Sequence, residues 1–311
     1  NALGYSFVPD FTYQISAYPT QTYNPELKWE TSEQFDVGFD LRAFSDRFTF
    51  GFDWYRKETK DLIVSNITIP AEAGNKSAPV NAGNVLNSGF EFELGWKDRV
   101  GEFGYSISAN LATLNNKVTY LTPALSGGRI NGGSAQAAGG SFSAFEVGYP
   151  VWYFRGYEVE KIDDTGNPVF KAHDGVDGID DNDKVMLGKP MPDFTYGATV
   201  SLDWKGIDLT VFGSGVAGNQ IFMALGYNTI SYPLYEMWKD RWTADKSTSG
   251  KYAKPGVAGD KYRVSDAYVF NGSYFKIKQI QLGYTLPKRI TKLFFVERLH
   301  IYAALNDWFV F

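Results

Sequence analysis

Apolar residues recur at every second position in segments of about ten residues along this chain. The first two clear segments carry Phe35, Val37, Phe39 and Leu41, then Phe48, Phe50, Phe52 and Trp54. A period of two indicates β-strands, because successive side chains of a strand point to opposite faces. A tilted strand needs about 9 to 11 residues to cross a bilayer. The pattern therefore predicts an all-β fold whose strands are long enough for a membrane barrel.

Composition narrows the possible classes of protein. The 311 residues are 44% hydrophobic and 17% aromatic, which predicts an ordered chain. Mean hydropathy is -0.26 and no stretch has the 18 or so consecutive apolar residues of a membrane helix, but alternation hides barrel strands from such averages. The net charge of -5, with both signs mixed along the chain, argues against a nucleic-acid partner. The absence of cysteine excludes disulfides, thiolate metal sites and a cysteine nucleophile.

The predicted strands form pairs with short connections. The pairs are 33–42 with 47–57, 88–96 with 103–111, 194–204 with 207–216, and 274–286 with 299–305, and a further strand lies within 6–18. The connections between pairs are long: 58–87, 112–193 and 217–273. Outer-membrane barrels show this asymmetry of short periplasmic turns and long extracellular loops, whereas loops beyond about 15 residues are uncommon in compact soluble domains.

The two faces of the predicted strands differ. Aromatic residues close to the short turns predict an interfacial belt: Phe44, Phe48, Trp96, Phe103, Trp204 and Tyr284. The opposite face is polar, as a wet lumen requires: Glu91, Glu93, Ser106, Ser108, Asn110, Thr199, Ser201 and Asp203. A β-sandwich whose apolar face is a dry core remains an alternative on this pattern alone.

Several segments together resemble the carboxy-terminal half of SusC/RagA-type TonB-dependent outer-membrane transporters. They are NPELKWE (24–30), YRKETKDLI (55–63), NAGNVLNSGFEFEL (81–94), VGYPVWYFRGY (147–157), GKPMPDFTYG (188–197), MWKDRWT (237–243), SYFKIKQIQLGYTLPK (273–288) and LHIYAALNDWFVF (299–311). They occur in the family's order and span most of the chain. The resemblance is specific because the segments occur together.

The resemblance implies an antiparallel transmembrane β-barrel of roughly 22 strands with a plugged lumen. Residues 1–311 would supply its later strands, and we expect the plug domain, early strands and final strand to lie outside this chain, which stops at Phe311 inside an apolar run. Family members lie in the outer membrane, in contact with its lipids. They import oligosaccharides, or peptides, with energy from TonB and with a SusD-like surface lipoprotein as a lid.

An acidic segment at 173–184 is the clearest candidate metal site. It carries Asp174, Asp177, Asp180, Asp181 and Asp183, whose oxygens could bind Ca²⁺. The segment resembles the family's DxNGDGxIDxxD sequence, but the calcium-loop register fails. With Asp177 and Gly178 at positions 5 and 6, positions 1 and 12 become His173 and Lys184, which are poor calcium ligands. A solvated acidic loop is the alternative.

Aromatic residues crowd the long connections and are candidate contacts for substrate or lid: Trp152, Tyr153, Tyr157, Tyr232 and Tyr235. Rings of this kind stack on sugars and dock partners because they combine apolar area with polar tips. Packing of the loops on each other is the alternative for most of them. Trp238 and Trp242, at i and i+4, are predicted to share one face of a short helix.

No catalytic arrangement is predicted. Glu91 and Glu93 share a strand face, which is better explained by a polar lumen than by a glycosidase pair. No HExxH, GxSxG or P-loop pattern occurs. The predicted function is therefore SusC-like nutrient import rather than enzyme activity. A passive porin and a soluble secreted carbohydrate-binding β-sandwich are the alternatives.

Overall fold

A computed structural model describes residues 4–5, 14–15, 23–64, 78–123, 128–135, 140–223, 235–256 and 259–311. The strands are β1 (Gly4–Tyr5), β2 (Gln14–Ile15), β3 (Thr31–Ala43), β4 (Phe48–Val64), β5 (Val80–Val100), β6 (Phe103–Thr113), β7 (Asn115–Leu121), β8 (Arg129–Ala135), β9 (Gly140–Glu146), β10 (Tyr153–Gly156), β11 (Val159–Ile162), β12 (Pro168–Phe170), β13 (Val185–Gly188), β14 (Phe194–Trp204), β15 (Ile207–Ala217), β16 (Gln220–Phe222), β17 (Val269–Asn271), β18 (Tyr274–Thr285) and β19 (His300–Val310). The helices are α1 (Tyr235–Lys239), α2 (Asp260–Arg263) and α3 (Lys288–Thr291). Among the described residues, no helix has the length and apolar character needed to cross a membrane.

One antiparallel sheet forms the wall of the molecule, with the strand order β3, β4, β5, β6, β14, β15, β18, β19. The four predicted strand pairs are its four hairpins, so these predictions are confirmed. Strands β4 and β5 are longer than predicted, because pairing with a neighbour continues after the apolar alternation has ended. Strand β19 is also longer, and its pairing with β18 extends to Val310. Of the strand predicted within 6–18, only the residues of β2 lie in the described part of the chain, where they pair with β1.

The wall has one continuous apolar face. Phe39 lies opposite Phe52, Phe52 opposite Phe92, and the same face continues through Leu111 on β6. Directly opposite residues of antiparallel strands share a face. Phe39 is 57% exposed and Leu111 36% exposed, so no second layer covers this face within the described residues. A β-sandwich would bury these side chains, and that alternative is therefore wrong.

The predicted aromatic belt lies along the edge that carries the short turns. Phe48 is opposite Trp96, and Phe44 packs on both rings, with ring centroids 6.5 and 5.9 Å apart. Farther along the same edge, Phe103 is opposite Trp204. Tyr284 continues this row opposite Ile207. These rings lie at the height where a barrel meets the membrane interface.

The long connections fold into a layer at the other end of the wall. This loop layer comprises β7 to β13, β16, β17, α1, α2 and the segments between them. Its larger sheet has the order β13, β10, β9, β8, and β7 extends the wall by pairing with the first residues of β5. A small core joins the layer to the wall: Ala82, Val85, Val118, Leu121 and Phe145. The loop layer is therefore a packed structure that contacts the wall at the end opposite the short turns.

Candidate functional site

The second face of the wall is polar, as the sequence predicted for the lumen. Glu93 lies opposite Asn110, Ser108 opposite Thr199, and Ser106 opposite Ser201. The hydroxyls of Ser201 and Thr210 are 3.4 Å apart on the neighbouring strands. This row of hydroxyl, amide and carboxylate groups gives a water-compatible surface. Glu91 and Glu93 belong to it as two residues of one strand.

Polar contacts near the short-turn end of this polar face link strands that are distant in sequence. His300 Nε2 on β19 lies 2.8 Å from Asp208 Oδ2 on β15, across β18. Arg99 on β5 pairs with Asp203 on β14, across β6. Both contacts span one intervening strand and lie on the face that the apolar residues leave free. The Arg99–Asp203 pair shows that the polar face carries both signs of charge.

Asp183 organises the acidic segment that the sequence singled out. Its carboxylate accepts hydrogen bonds from the backbone N–H groups of His173 at 2.7 Å and Asp180 at 2.9 Å. The side chain is 1% exposed. Backbone N–H groups of Asp180 and His173 hold the pKa of the Asp183 carboxyl below its ordinary value, because they stabilise the charged form. The segment is thus folded around its own carboxylate.

Asp181 faces three cationic side chains. Its carboxylate lies 3.1 Å from Arg155, 3.4 Å from Arg129 and 2.8 Å from Lys184. The Arg155 guanidinium also donates to the Asp181 carbonyl at 2.6 Å, and Arg155 is only 8% exposed. These contacts fasten the acidic segment to β10 and β8.

Only part of the predicted calcium set comes together. Carboxylate oxygens of Asp174, Asp180 and Asp183 lie within 4.8 Å of one another. Asp181 is engaged by its cations instead, and Asp177 is exposed with no hydrogen bond or ion pair to other described residues. Backbone N–H groups already occupy both oxygens of Asp183. Calcium binding at this segment therefore stays a prediction, and the fold of the segment is accounted for by its own hydrogen bonds.

Two of the predicted contact rings lie inside the loop layer. Tyr153 is 2% exposed, stacks on Tyr149 with centroids 4.5 Å apart, and donates its hydroxyl to Glu146 at 2.6 Å. Burial and this hydrogen bond raise the pKa of Tyr153. Tyr157 is 7% exposed and packs on Phe170. In this arrangement both rings pack the layer, and a ligand would not reach them without rearrangement.

Trp152 differs from its two neighbours because its ring is 39% exposed. The backbone there has φ of 53°, a left-handed conformation that is unusual for a bulky residue. The ring leans on Phe145 of the small core, with centroids 5.6 Å apart. Trp152 is therefore held by the core and presented at the surface. Tyr232 lies outside the described residues, and Tyr235 is described only as the first residue of α1.

The prediction of a shared helical face for Trp238 and Trp242 is wrong. Helix α1 ends at Lys239, so Trp242 lies beyond it. Trp242 packs closely against Gly166 in the turn of the β11–β12 hairpin. Trp238 is 47% exposed, and the Arg241 guanidinium lies 4.0 Å from its ring centroid. This exposed cation–π pair was missed because sequence spacing alone favoured packing for both rings.

A cavity of about 410 Å³ opens within the loop layer, between the β11–β12 hairpin and the segments around residues 250–252 and 262–269. Asp266 and Tyr262 line it, together with Lys161 and Lys251. Burial raises the pKa of Asp266 and raises that of Tyr262 to about 12. Asp266 also accepts the Val159 N–H at 3.0 Å. The Asp266 carboxylate therefore links two lining segments of the cavity through this hydrogen bond.

Known proteins resemble this chain along most of its length. The family described as "TonB dependent receptor-like, beta-barrel" matches residues 2–297. TonB-dependent receptor P26 of Formosa agariphila is 30% identical over 289 residues, which cover 85% of this chain and 28% of the relative. TonB-dependent receptor SusC of Bacteroides thetaiotaomicron is 27% identical over 286 residues, which cover 88% of this chain and 28% of the relative. The chain spans about a third of the length of the curated relatives it matches.

Solved structures show the same fold. The structure titled "Structure of the RagAB peptide transporter" aligns with all of this chain and 34% of its own, with a TM-score of 0.78 and 21% identity. The RagAB peptide importer in its "open-open" state aligns equally, at a TM-score of 0.78 and 20% identity. The relatives named above are receptors or transporters, not enzymes. Together with the uncovered apolar face of the wall, these matches establish that the chain belongs to the TonB-dependent receptor β-barrel family, with SusC and RagAB among the proteins it resembles, and forms part of an outer-membrane β-barrel.

Proposed function

We propose that the full-length protein is an active importer of large polar nutrients, either oligosaccharides or peptides, which draws its energy from TonB and works with a SusD-like lipoprotein lid. The observation that carries this proposal is the wall itself. One face is apolar and uncovered, and the other bears a continuous row of hydroxyl, amide and carboxylate groups. Such a wall separates lipid from a wet lumen.

The packed loop layer supports a gated rather than an open pore. The small core and the Arg155–Asp181 contacts hold β9, β10 and the acidic segment in place above the wall. An ordered layer of this kind offers a fixed surface on which a lid protein can close. A loop that only constricts the channel of a porin does not need such an ordered surface.

The exposed rings of the loop layer are the proposed contacts for lid or cargo. Trp152 and Trp238 are exposed, while the first ring is held by packing on Phe145 and the second by its cation–π contact with the partly exposed Arg241. Tryptophan and arginine are enriched among residues that dominate binding interfaces. Trp152 was predicted from the sequence, and we add Trp238 and Arg241.

The titles of the structural neighbours name one cargo class, peptides, and oligosaccharides come from the family resemblance. The RagAB structures are titled as peptide transporters or importers, at 20–22% identity to this chain. That level of identity supports the fold alone. We therefore propose a polar polymeric cargo and leave glycan and peptide as the two arms of the test.

Uptake by cells that express the full-length gene tests this function. Labelled oligosaccharides and labelled peptides are supplied separately to cells with active and inactive TonB. We expect uptake of one class, lost when TonB is inactive. Uptake that persists without TonB would contradict active import and indicate a passive porin.

The lid contact is tested with Trp238→Ala in the full-length protein. We expect the SusD-like lipoprotein to co-purify less with this variant, by roughly tenfold or more if Trp238 is a dominant contact. Phe44→Ala, which removes a ring that is 68% exposed at the opposite end of the wall, is the matched control. Equal recovery of the lipoprotein with both variants would exclude Trp238 from the interface.

A further inference from the structure

The turn between β18 and β19 differs from the other short turns of the wall. The β3–β4, β5–β6 and β14–β15 hairpins are closed by two to four residues, at 44–47, 101–102 and 205–206. Residues 287–298 instead form α3 followed by a 3-10 turn at Lys292–Phe294. We call residues 287–298 the basic-aromatic turn, because they contain four basic residues and two adjacent phenylalanines.

The apolar side chains of this turn project away from the protein. Leu293 is 75% exposed, Phe294 71% and Phe295 99%. Phe295 also has φ of 59°, a left-handed conformation that glycine or asparagine adopts more readily than a bulky residue. In water, Phe295 would therefore combine an exposed apolar ring with an unfavourable left-handed backbone. Backbone outliers of this kind point to a functional constraint.

The same turn concentrates positive charge. Its basic residues are Lys288, Arg289, Lys292 and Arg298, and its one acidic residue is Glu297. The side chains of these four cations form no ion pair with the described residues. The chain as a whole has a net charge of -5. The positive charge of the turn is therefore a local feature that faces outward.

The turn continues the lipid-facing wall. At its base, the backbone N–H of Leu286 donates to the Leu299 carbonyl at 2.9 Å. Two pairs farther along the hairpin, Tyr284 lies opposite Ile301 on the apolar face, and these side chains are 41% and 60% exposed. Tyr284 belongs to the aromatic belt at the short-turn edge. The turn is thus placed at the headgroup level of the adjoining leaflet, on the periplasmic side where barrel turns are short.

We propose that the basic-aromatic turn is an interfacial anchor that binds the anionic phospholipids of the adjoining leaflet. Leu293, Phe294 and Phe295 insert between the acyl chains, and the surrounding cations bind the phosphate groups. A segment with Lys and Arg beside Phe and Leu has the composition of surface-lying membrane anchors. Clustered basic residues next to a membrane segment bind anionic headgroups.

Amide hydrogen exchange of residues 287–299 tests the charge part of this proposal. The full-length protein is compared in nanodiscs of phosphatidylglycerol and of phosphatidylcholine. We expect slower exchange in phosphatidylglycerol, by about fivefold for each cation engaged. The combined change Lys288→Gln, Arg289→Gln and Lys292→Gln should reduce this difference to at most the roughly fivefold effect of the remaining Arg298, while keeping residues that favour helix.

A matched control removes the same charge from the other end of the molecule. The changes Lys117→Gln, Lys239→Gln and Lys246→Gln alter exposed lysines of the loop layer, and the difference between the two lipids should persist. Equal exchange of the wild-type turn in both lipids would overturn the proposal. So would a difference that is undiminished by the three changes in the turn, or one that falls equally in the control.

The variant Phe295→Asn tests insertion of the ring. Asparagine tolerates the left-handed backbone, so the turn itself should still form. Loss of the inserted ring should speed exchange in both lipids, by roughly tenfold or more, because insertion does not depend on headgroup charge. Unchanged protection of the turn in both lipids would show that the ring does not enter the membrane.

Discussion

At the scale of single residues, two buried side chains hold the acidic segment. Asp183 gathers backbone N–H groups from both ends of the segment, and Arg155 binds the carboxylate and carbonyl of Asp181. Asp183 thus connects His173 with Asp180, and Arg155 connects β10 with Asp181. Their substitution should therefore open the segment without disturbing the wall.

The Asp183 carboxylate should make the acidic segment sensitive to pH. Its pKa in the folded protein lies below the unfolded value of about 3.9. The stabilisation is therefore present above that unfolded value and is lost as pH falls through the lower folded pKa. We expect residues 173–184 to open below about pH 4 in wild-type protein, as measured by limited proteolysis.

The variant Asp183→Asn should open the same segment at neutral pH, because the amide has one acceptor oxygen instead of two. Asp177→Asn changes an exposed aspartate with no described partner and serves as the control. Equal protease resistance of the two variants at pH 7 would show that the Asp183 hydrogen bonds do not hold the segment.

Arg155→Lys should weaken the attachment of the segment to β10. A lysine ammonium cannot reproduce the two-point contact that the guanidinium makes with Asp181. We expect a loss of about 1.5 to 3 kcal/mol in the local opening free energy of residues 180–184, measured by hydrogen exchange. Arg129→Lys, at the longer 3.4 Å contact, should have a smaller effect. A larger effect of Arg129→Lys would contradict this order.

The acidic segment also shows what could be predicted at this scale. Its aspartates and glycines marked it from composition, and they predicted a calcium site that stays a prediction. The three cations around Asp181 come from β8, β10 and the residue after the 3-10 turn at Asp181–Asp183. The contacts of Arg129 and Arg155 join segments that are distant in sequence, so they leave no local pattern.

At the scale of elements, the junction between β5 and β7 supports the loop layer. Val118 of β7 is fully buried among Ala82, Val85, Leu121 and Phe145. Val118→Ala removes two methyl-sized groups and leaves a cavity, which should cost about 2 kcal/mol in the opening free energy of β7. Hydrogen exchange of residues 115–121 measures this cost.

The control for this prediction is Val147→Ala, the same substitution at a loop-layer position that is 47% exposed. It should change the exchange of β7 by less than about 0.5 kcal/mol. If both variants destabilise β7 equally, the small core does not stabilise the junction between β5 and β7.

The elements differ in how well the sequence predicts them. Strands β14 and β15 match their predicted limits to within a residue, because lipid on one face and water on the other impose strict alternation. Strands β8 to β13 were missed within the predicted connection 112–193. They are three to seven residues long and their burial follows the contacts of the loop layer rather than a membrane, so no period of two survives.

At the scale of the whole molecule, the functional conclusion depends on whether lipid or a dry protein core covers the apolar face of the wall. Alternation alone is compatible with a dry sandwich core or with lipid. The uncovered rings of the wall, the aromatic belt and the family match agree on lipid. The site residues were less predictable: Tyr153 and Tyr157 share the aromatic character of Trp152, and only the packing of the loop layer separates buried rings from exposed ones.

A spin-label scan of β3 in the full-length protein tests the lipid-facing wall most directly. Residues 35–41 are replaced one at a time by cysteine, which is absent from this chain, and each label is measured in bilayers for collision with oxygen and with a water-soluble nickel reagent. We expect oxygen accessibility to peak at Phe35, Val37, Phe39 and Leu41, with nickel accessibility lower there than at the intervening positions. Equal accessibility at all positions, or peaks of nickel accessibility at the apolar residues, would contradict a wall whose apolar face contacts lipid.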